Sequence, residues 1–157
     1  MIAPMNASMI SIESPIGPLC VAERDGSIVR VSWSRERGAD PTPLLAEAAR
    51  QLAAYFAGEL REFDLPVDPG GEELEARVFD AMRAIPYGQT RTYGEIADEL
   101  GTYGQPVGQA CGANPIAVII PCHRVLSATG LGGYSGKGGV ETKIALLKLE
   151  GGYPLLL

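Results

Sequence analysis

The pair Cys122-His123 sets the chain's single histidine beside one of its three cysteines, inside the run VIIPCHRV at 118–125. A thiolate rather than a thiol attacks electrophiles, and a free thiol with a pKa of about 8.5 is only a few per cent ionised at neutral pH. Activating it takes a base, a positive charge or a helix N-terminus. His123 supplies the base, but adjacent side chains usually diverge, so a bridging water links the two better than a direct hydrogen bond. The competing reading is a buried strand in which Cys122 is a small hydrophobe, a common fate for free cysteine. The dipeptide by itself leaves both readings open.

The rest of the composition narrows the chemistry. Cys20, Cys111 and Cys122 are widely spaced and odd in number, which favours reduced thiols in a cytoplasm over a disulfide framework. Three scattered cysteines and one histidine show no metal-ligand spacing, so no metal is expected. The loop ATGLGGYSGKGG at 128–139 lacks the GK[ST] ending of a phosphate loop and follows no dinucleotide-type unit, so no nucleotide cofactor is expected either. No apolar run approaches the roughly 18 residues of a membrane span, and the N-terminus does not read as a signal peptide. The net charge of −6 argues against strong nonspecific binding to nucleic acid, whose affinity rests largely on phosphate neutralisation.

The elements that must position the pair fall into two regions. At 157 residues with 46% hydrophobic content, the chain has the composition of one globular domain or two small lobes. MISIES, PLCVAER and SIVRVSWS read as three strands, the last two joined by an Asp-Gly hairpin turn at 24–27. A helix is expected over 43–60, with proline near its start and Gly58 near its end. FDLPVD reads as one more short strand, and VDPGGEE as a linker. The pattern then turns helical. An amphipathic helix covers 74–85, and Thr92 with Glu95 three residues on is a capping box that opens another. A tight connection at 101–104 leads to a helix over 106–113 opened by Pro106, so the two short helices outline a helix-turn-helix. ETKIALLKLEG forms the last helix. The fold class is α+β: a small N-terminal strand-helix lobe (1–66), then a mostly helical C-terminal lobe (72–157).

Pro121-Cys122-His123-Arg124-Val125 resembles the PCHRV signature of the alkylguanine-DNA alkyltransferases, the direct-reversal DNA repair proteins. The likeness extends to Ile85-Pro86-Tyr87-Gly88, Thr92-Tyr93-Gly94-Glu95, Gly112-Ala113-Asn114-Pro115, the pocket loop Gly132-Gly133-Tyr134-Ser135-Gly136 and the last helix at 143–151. It covers about residues 72–151, while the N-terminal part is similar only in length and layout. The resemblance implies binding of double-stranded DNA through the minor groove and extrusion of the damaged guanine, because chemistry on a stacked base requires it. The O6-alkyl group would pass to Cys122 as a thioether, once per molecule. His123 would be the base through a water, Glu150 would orient it, and Tyr93 would donate a proton to the departing guanine. Tyr134 and Ser135 would line the pocket, backbone groups of Cys122 and Val125 would read the base edge, and Asn114 would tie the helix-turn-helix to the active segment. Arg124 would make a structural ion pair. Cys111 reads as a packing residue and Cys20 as inert.

The chain departs from the family pattern in one place. The recognition helix of the family carries an arginine that fills the gap left by the flipped base; here that position is Gln105, and the turn before it is two residues shorter. No Lys or Arg occurs between Arg91 and Arg124. Gln105, Pro106, Gly108, Gln109 and Ala110 would face DNA with backbone amides supplying the phosphate contacts, so weak duplex binding by a monomer is expected. Two other functions are weighed against repair: alkyl transfer from a small-molecule donor by the same centre, and a non-catalytic lesion sensor, against which Cys122 itself argues.

Overall fold

A computed structural model describes residues 8–36 and 41–152. The chain divides into two compact units, Met1–Pro69 and Gly70–Leu157. The α+β character is present, with a small sheet first and helices after it. Among the described residues no helix is long and apolar enough to cross a membrane.

In the first unit, strands β1 (Ser8–Ile12), β2 (Leu19–Arg24) and β3 (Ser27–Ser32) form an antiparallel meander in the order β1-β2-β3. The β2–β3 hairpin closes through Asp25 and Gly26, both left-handed (φ 52° and 81°). Asp-Gly suits such a turn because its twist matches that of the strands. Helix α1 (Pro43–Phe56) packs on β1 and β2. The Thr42 hydroxyl caps it by accepting from the Leu45 amide at 3.1 Å, and Pro43 opens it where no N–H is needed. It ends four residues before the expected Leu60, at a left-handed Gly58 (φ 78°). The core joins Leu19, Val21, Ile28 and Val31 of the sheet with Leu45, Leu52 and Tyr55 of α1.

FDLPVD is not a strand; only Val67 bridges Ile28. At the start of this segment the buried Gln51 side chain takes up the backbone of Asp64, while the Pro66 carbonyl and Asp68 amide bond Ile28. Gln51 accepts from the Asp64 amide at 2.9 Å and donates to the Asp64 carbonyl at 3.1 Å.

In the second unit, α2 (Glu73–Arg83) starts with a Glu72–Glu75 capping box. The two-residue β4 (Arg91–Thr92) leads into α3 (Tyr93–Leu100), and α4 (Gly104–Gly112) follows. Both halves of the expected Thr92–Glu95 capping box are made, at 3.1 and 2.8 Å. Helix α3 stops at the left-handed Gly101 (φ 72°), whose amide and that of Thr102 return to the last turn. Helix α4 begins two residues before the expected Pro106, because the first turn of a helix leaves its N–H groups unpaired and tolerates proline there. α2, α3 and α4 pack together around Val78, Phe79, Met82, Ile96 and Val107. α5 (Val140–Glu150) closes the unit and ends at the left-handed Gly151.

The apolar lead-in to Cys122 is also not a strand. Residues Ile116 to Ile120 are buried but follow successive turns, with Ile120 N–H bonded to Ile116 at 3.0 Å and Cys122 N–H to Ile120 at 2.8 Å. Val118 is left-handed (φ 71°), an unusual conformation for a β-branched residue. Asn114 holds this loop: its Oδ1 accepts from the Ile116 amide at 3.0 Å and its Nδ2 donates to the Ile120 carbonyl at 2.9 Å. Cys122–Arg124 then form one 3-10 turn, and β5 (Val125–Leu126) pairs in parallel with β4.

Candidate active site

The 3-10 turn sends Cys122 one way and His123 and Arg124 another. Cys122 is 8% exposed and lines a cavity of about 400 Å³ together with Tyr93, Gly108, Cys111, Gly112, Gly133, Tyr134 and Ser135. His123 and Arg124 point away from it, towards the end of α5. The imidazole Nε2 lies 2.7 Å from Glu150 Oε2, and Arg124 donates to the same carboxylate from Nε (2.8 Å) and Nη2 (2.9 Å). Arg124 Nη1 also donates to the Ile85 carbonyl at 2.7 Å. All three side chains are buried, and a forked Arg–carboxylate pair has the geometry that keeps such a cluster in register.

These contacts assign the imidazole protons. A carboxylate already holding a guanidinium accepts only, so the His123 proton sits on Nε2 and Nδ1 carries the lone pair. Burial lowers the pKa of His123 from its ordinary value, more than the Glu150 contact raises it, so the ring is neutral at pH 7. Nδ1 is buried and has no hydrogen-bond partner in the protein. It is a base with its acceptor site open, held on the residue that follows the thiol.

The thiol rests protonated. Burial pushes Cys122 up, while Asn114, the Lys143 charge and Tyr134 act to bring it down. Tyr134 interacts with Cys122 through its hydroxyl, and burial raises that phenol too. Tyr93 stands at the first turn of α3, set there by the Thr92 cap, and burial raises its pKa, so it keeps its proton. Gly132 is left-handed (φ 72°), and a Cβ there would meet Tyr93 Cε2 at 3.1 Å and Tyr93 Oη at 3.2 Å. The glycine thus lets the pocket loop pass against the tyrosine.

Lys143 joins this centre without having been singled out by sequence reasoning. Fully buried, its Nζ donates to the carbonyls of Val125 (2.6 Å), Leu131 (2.6 Å) and Gly133 (3.0 Å). It ties the turn after the cysteine to the pocket loop and lies 5.9 Å from the Tyr93 ring centroid. Burial lowers it to about 8, against the opposing pull of Cys122 and Cys111. The signal was available: Lys143, Leu146, Leu147 and Glu150 share the buried stripe of α5, and charge on such a stripe needs partners.

The remaining expected residues are placed as follows. Val125 is fully buried; its carbonyl accepts from Lys143, and its amide donates back to the Cys122 carbonyl. Gln105 and Gln109 are exposed on α4, and Pro106 is half-buried. Gly108 lines the cavity, with open space where a Cβ would stand. Ala110 is 3% exposed, on the helix face packed inward, so the expectation that it faces DNA is corrected. Cys111 is buried with its Sγ 3.5 Å from Met82 Sδ, as expected of a packing residue, but it also walls the cavity. Burial raises its pKa to about 12. Tyr87 and Gly88 of the PYG turn lie over the end of α5, with Tyr87 Oη 3.3 Å from the Leu149 carbonyl. Among the described residues no group of His, Cys, Asp or Glu is placed to hold a metal ion.

Family models match both units of the chain. The model of the 6-O-methylguanine DNA methyltransferase DNA-binding domain matches residues 73–152, and that of the ribonuclease-like domain of the same proteins matches 9–69. The family likeness therefore includes the N-terminal region, where sequence reading had found similarity of layout alone. A methylated-DNA–protein-cysteine methyltransferase of Mycobacterium leprae is 47% identical, covering 89% of this chain and 90% of the relative. One from Methanosarcina acetivorans is 45% identical over 88% and 95% of the two chains. A Mycobacterium tuberculosis homologue solved in complex with DNA superposes with a TM-score of 0.82 at 45% identity, covering 94% and 95%. With matches of this strength across nearly its whole length, the chain belongs to the 6-O-methylguanine DNA methyltransferase family, the methylated-DNA–protein-cysteine methyltransferases.

Proposed function

We propose that the chain repairs DNA by irreversible, single-use transfer of the O6-alkyl group of an extruded guanine to Cys122. The observation that carries this reading is the open Nδ1 of a neutral His123 whose Nε2 is fixed by Glu150 and Arg124. Through one water, Nδ1 takes the Cys122 proton as sulfur attacks the alkyl carbon in line. The C–O6 bond breaks, its electron pair stays with the guanine, and Tyr93 gives that base a proton as it leaves. The tyrosine is reprotonated through solvent and the proton on His123 is released. A C–S bond has then replaced a C–O bond, and no group at the site hydrolyses a thioether.

Asn114 holds the loop that seats the thiol, Tyr134 and Ser135 bound the guanine, and the carbonyls of Cys122 and Val125, each already accepting one bond, read its edge with their second lone pairs. Lys143 lends positive charge to the developing thiolate. DNA is the partner, in keeping with the matched DNA-binding domain and the relative crystallised with DNA. The minor groove is the proposed face, with Gln105, Pro106 and Gln109 on the outer side of α4. Binding is weak and by a monomer, since no cation lies between Arg91 and Arg124 and neutral side chains release no phosphate counterions. Free thiols at all three cysteines suit the reducing cytoplasm.

The test is intact mass after incubation with duplex DNA containing O6-methylguanine. A gain of one methylene that disappears in Cys122→Ala supports repair. Labelling by a free alkylguanine base but not by the duplex would replace this reading with small-molecule alkyl transfer, which the uncharged α4 favours. Binding without a mass change would leave only a lesion sensor.

A further inference from the structure

Extruding a base leaves a gap in the stack beside the pocket, and something must occupy it while the base is held outside. On α4 no cationic side chain is available for this. The side chain that stands out is Tyr103. It is the N-cap of α4, makes no capping bond through its side chain, and is 80% exposed, the most exposed large hydrophobic residue described. An aromatic ring left in water at that level gains from any apolar surface that covers it.

Its position relates it to the pocket. Helix α4 contributes Gly108, Cys111 and Gly112 to the cavity wall. Tyr103 lies five residues before Gly108, about 7.5 Å along a helix axis, roughly two base-pair steps. The helix face that carries Gly108 is bare. Gly104, Gly108 and Gly112 recur every fourth residue, and a Cβ at any of them would meet nothing within 4 Å. A groove floor therefore meets backbone along this ridge, and Tyr103 is the exposed aromatic residue next to its first glycine. The turn that presents the ring is firmly built, since the Gly101 and Thr102 amides bond back to α3 and Arg77 Nη2 donates to the Leu100 carbonyl at 3.0 Å.

We infer that Tyr103 is the wedge of this protein: its ring enters the DNA stack at the gap left by the extruded guanine, with the neighbouring Gln105 amide bonding the orphaned partner base. Aromatic stacking on bases is tolerant of sequence and needs no charge, which fits a helix without cations. Inserting an apolar wedge from the minor groove also lowers the net expense of unstacking. This inference rests on the repair reading above.

The test compares two alkyl donors. Single-turnover transfer is measured from duplex DNA with O6-methylguanine, and from free O6-benzylguanine base, which needs no extrusion. Tyr103→Ala is expected to slow duplex transfer about tenfold or more while leaving the free-base rate within about twofold. Tyr103→Trp keeps the duplex rate. Because stacking is not ionic, the Tyr103→Ala defect persists when salt is raised. A 2-aminopurine placed beside the lesion reports the insertion, its fluorescence changing with wild type and not with Tyr103→Ala. Equal duplex rates for wild type and Tyr103→Ala overturn the inference, as does a parallel loss on both donors. If wild type takes alkyl from the free base and none from the duplex, the repair reading fails and the wedge fails with it. An active wild type with an unaffected Tyr103→Ala removes the wedge alone.

Discussion

Glu150→Gln probes the centre with almost no change of shape. The carboxylate is 1% exposed in its side chain and accepts three bonds, one from His123 at 2.7 Å and two from Arg124 at 2.8 and 2.9 Å. A glutamine has one acceptor oxygen and one donor nitrogen. Arg124 donates to both oxygens, Nε to Oε1 and Nη2 to the Oε2 that also meets His123, so either orientation of the amide sets its NH2 against an Arg124 N–H. In either orientation the imidazolium that forms when His123 takes the thiol proton has lost its carboxylate counter-charge, and with the NH2 toward Nε2 the ring proton also moves to Nδ1. Loss of a positioned general base slows a reaction by about 10²–10⁴-fold. Stability falls as well, because Arg124 stays buried without its counter-charge. Breaking a buried pair from one side typically removes about 3–5 kcal/mol, a large part of the roughly 5–15 kcal/mol available to a folded domain. The melting midpoint should drop by on the order of 10 °C.

The assay is single-turnover alkyl transfer from a methylguanine duplex, with folding checked by circular dichroism at the assay temperature and stability by urea titration. The double variant Glu150→Gln with Arg124→Met removes the unpaired charge and should regain stability without regaining rate. A folded Glu150→Gln protein that transfers within about threefold of wild type would refute the base assignment, since the imidazolium has lost the carboxylate that stabilises it.

Two further outcomes follow from the pocket loop. Lys143 is lowered by burial to about 8 from an unfolded value near 10.4, so between those pH values the unfolded chain binds more protons and stability rises with pH. The burial penalty on the ammonium is fully present below about 8 and relieved above it, so wild type should gain urea resistance from pH 8 to 10 relative to Lys143→Met; equal slopes in the two proteins would rule out a buried, titrating lysine. Gly132→Ala places a methyl 3.1 Å from Tyr93 Cε2 and 3.3 Å from the Ser127 amide at φ 72°. It should slow transfer about tenfold by moving the tyrosine, with about 1–2 kcal/mol of backbone strain, whereas Gly130→Ala, with open space at its Cβ, should match wild type in both rate and urea midpoint.

Local chemistry was legible where a few residues decide the conformation alone. The Asp25-Gly26 hairpin, the Thr92–Glu95 capping box and the Gly58 stop all act within one turn. The reading failed where distant groups settle the outcome. FDLPVD alternates like a strand, but Gln51 on α1 takes up the Asp64 backbone, while Ile28 bonds Pro66 and Asp68. VIIPC is apolar enough for a buried strand, yet Asn114 folds it into turns by bonding at both ends of the Ile116 to Ile120 segment. Cys122, His123 and Glu150 were reached through the PCHRV resemblance and not through spacing, because 26 residues separate Arg124 from Glu150 and no local pattern pairs them. Lys143 was missed as an ordinary helix lysine, and only its three carbonyl partners reveal what it holds.

The resting state of the centre suits the single-use transfer proposed for it. A standing thiolate would be spent on any stray electrophile, and no group here restores a thioether. Burial instead pushes the Cys122 thiol up and the His123 base down, so neither is poised for ion-pair formation in the empty pocket. The opposing influences, from Asn114, Tyr134 and Lys143, are fixed dipoles and charge already aimed at the sulfur. They gain strength as a substrate excludes water and lowers the local dielectric. Reactivity thus depends on filling the cavity. On the proposed mechanism, the same burial that could be taken for packing of an inert cysteine reserves Cys122 for an alkyl group delivered on a guanine.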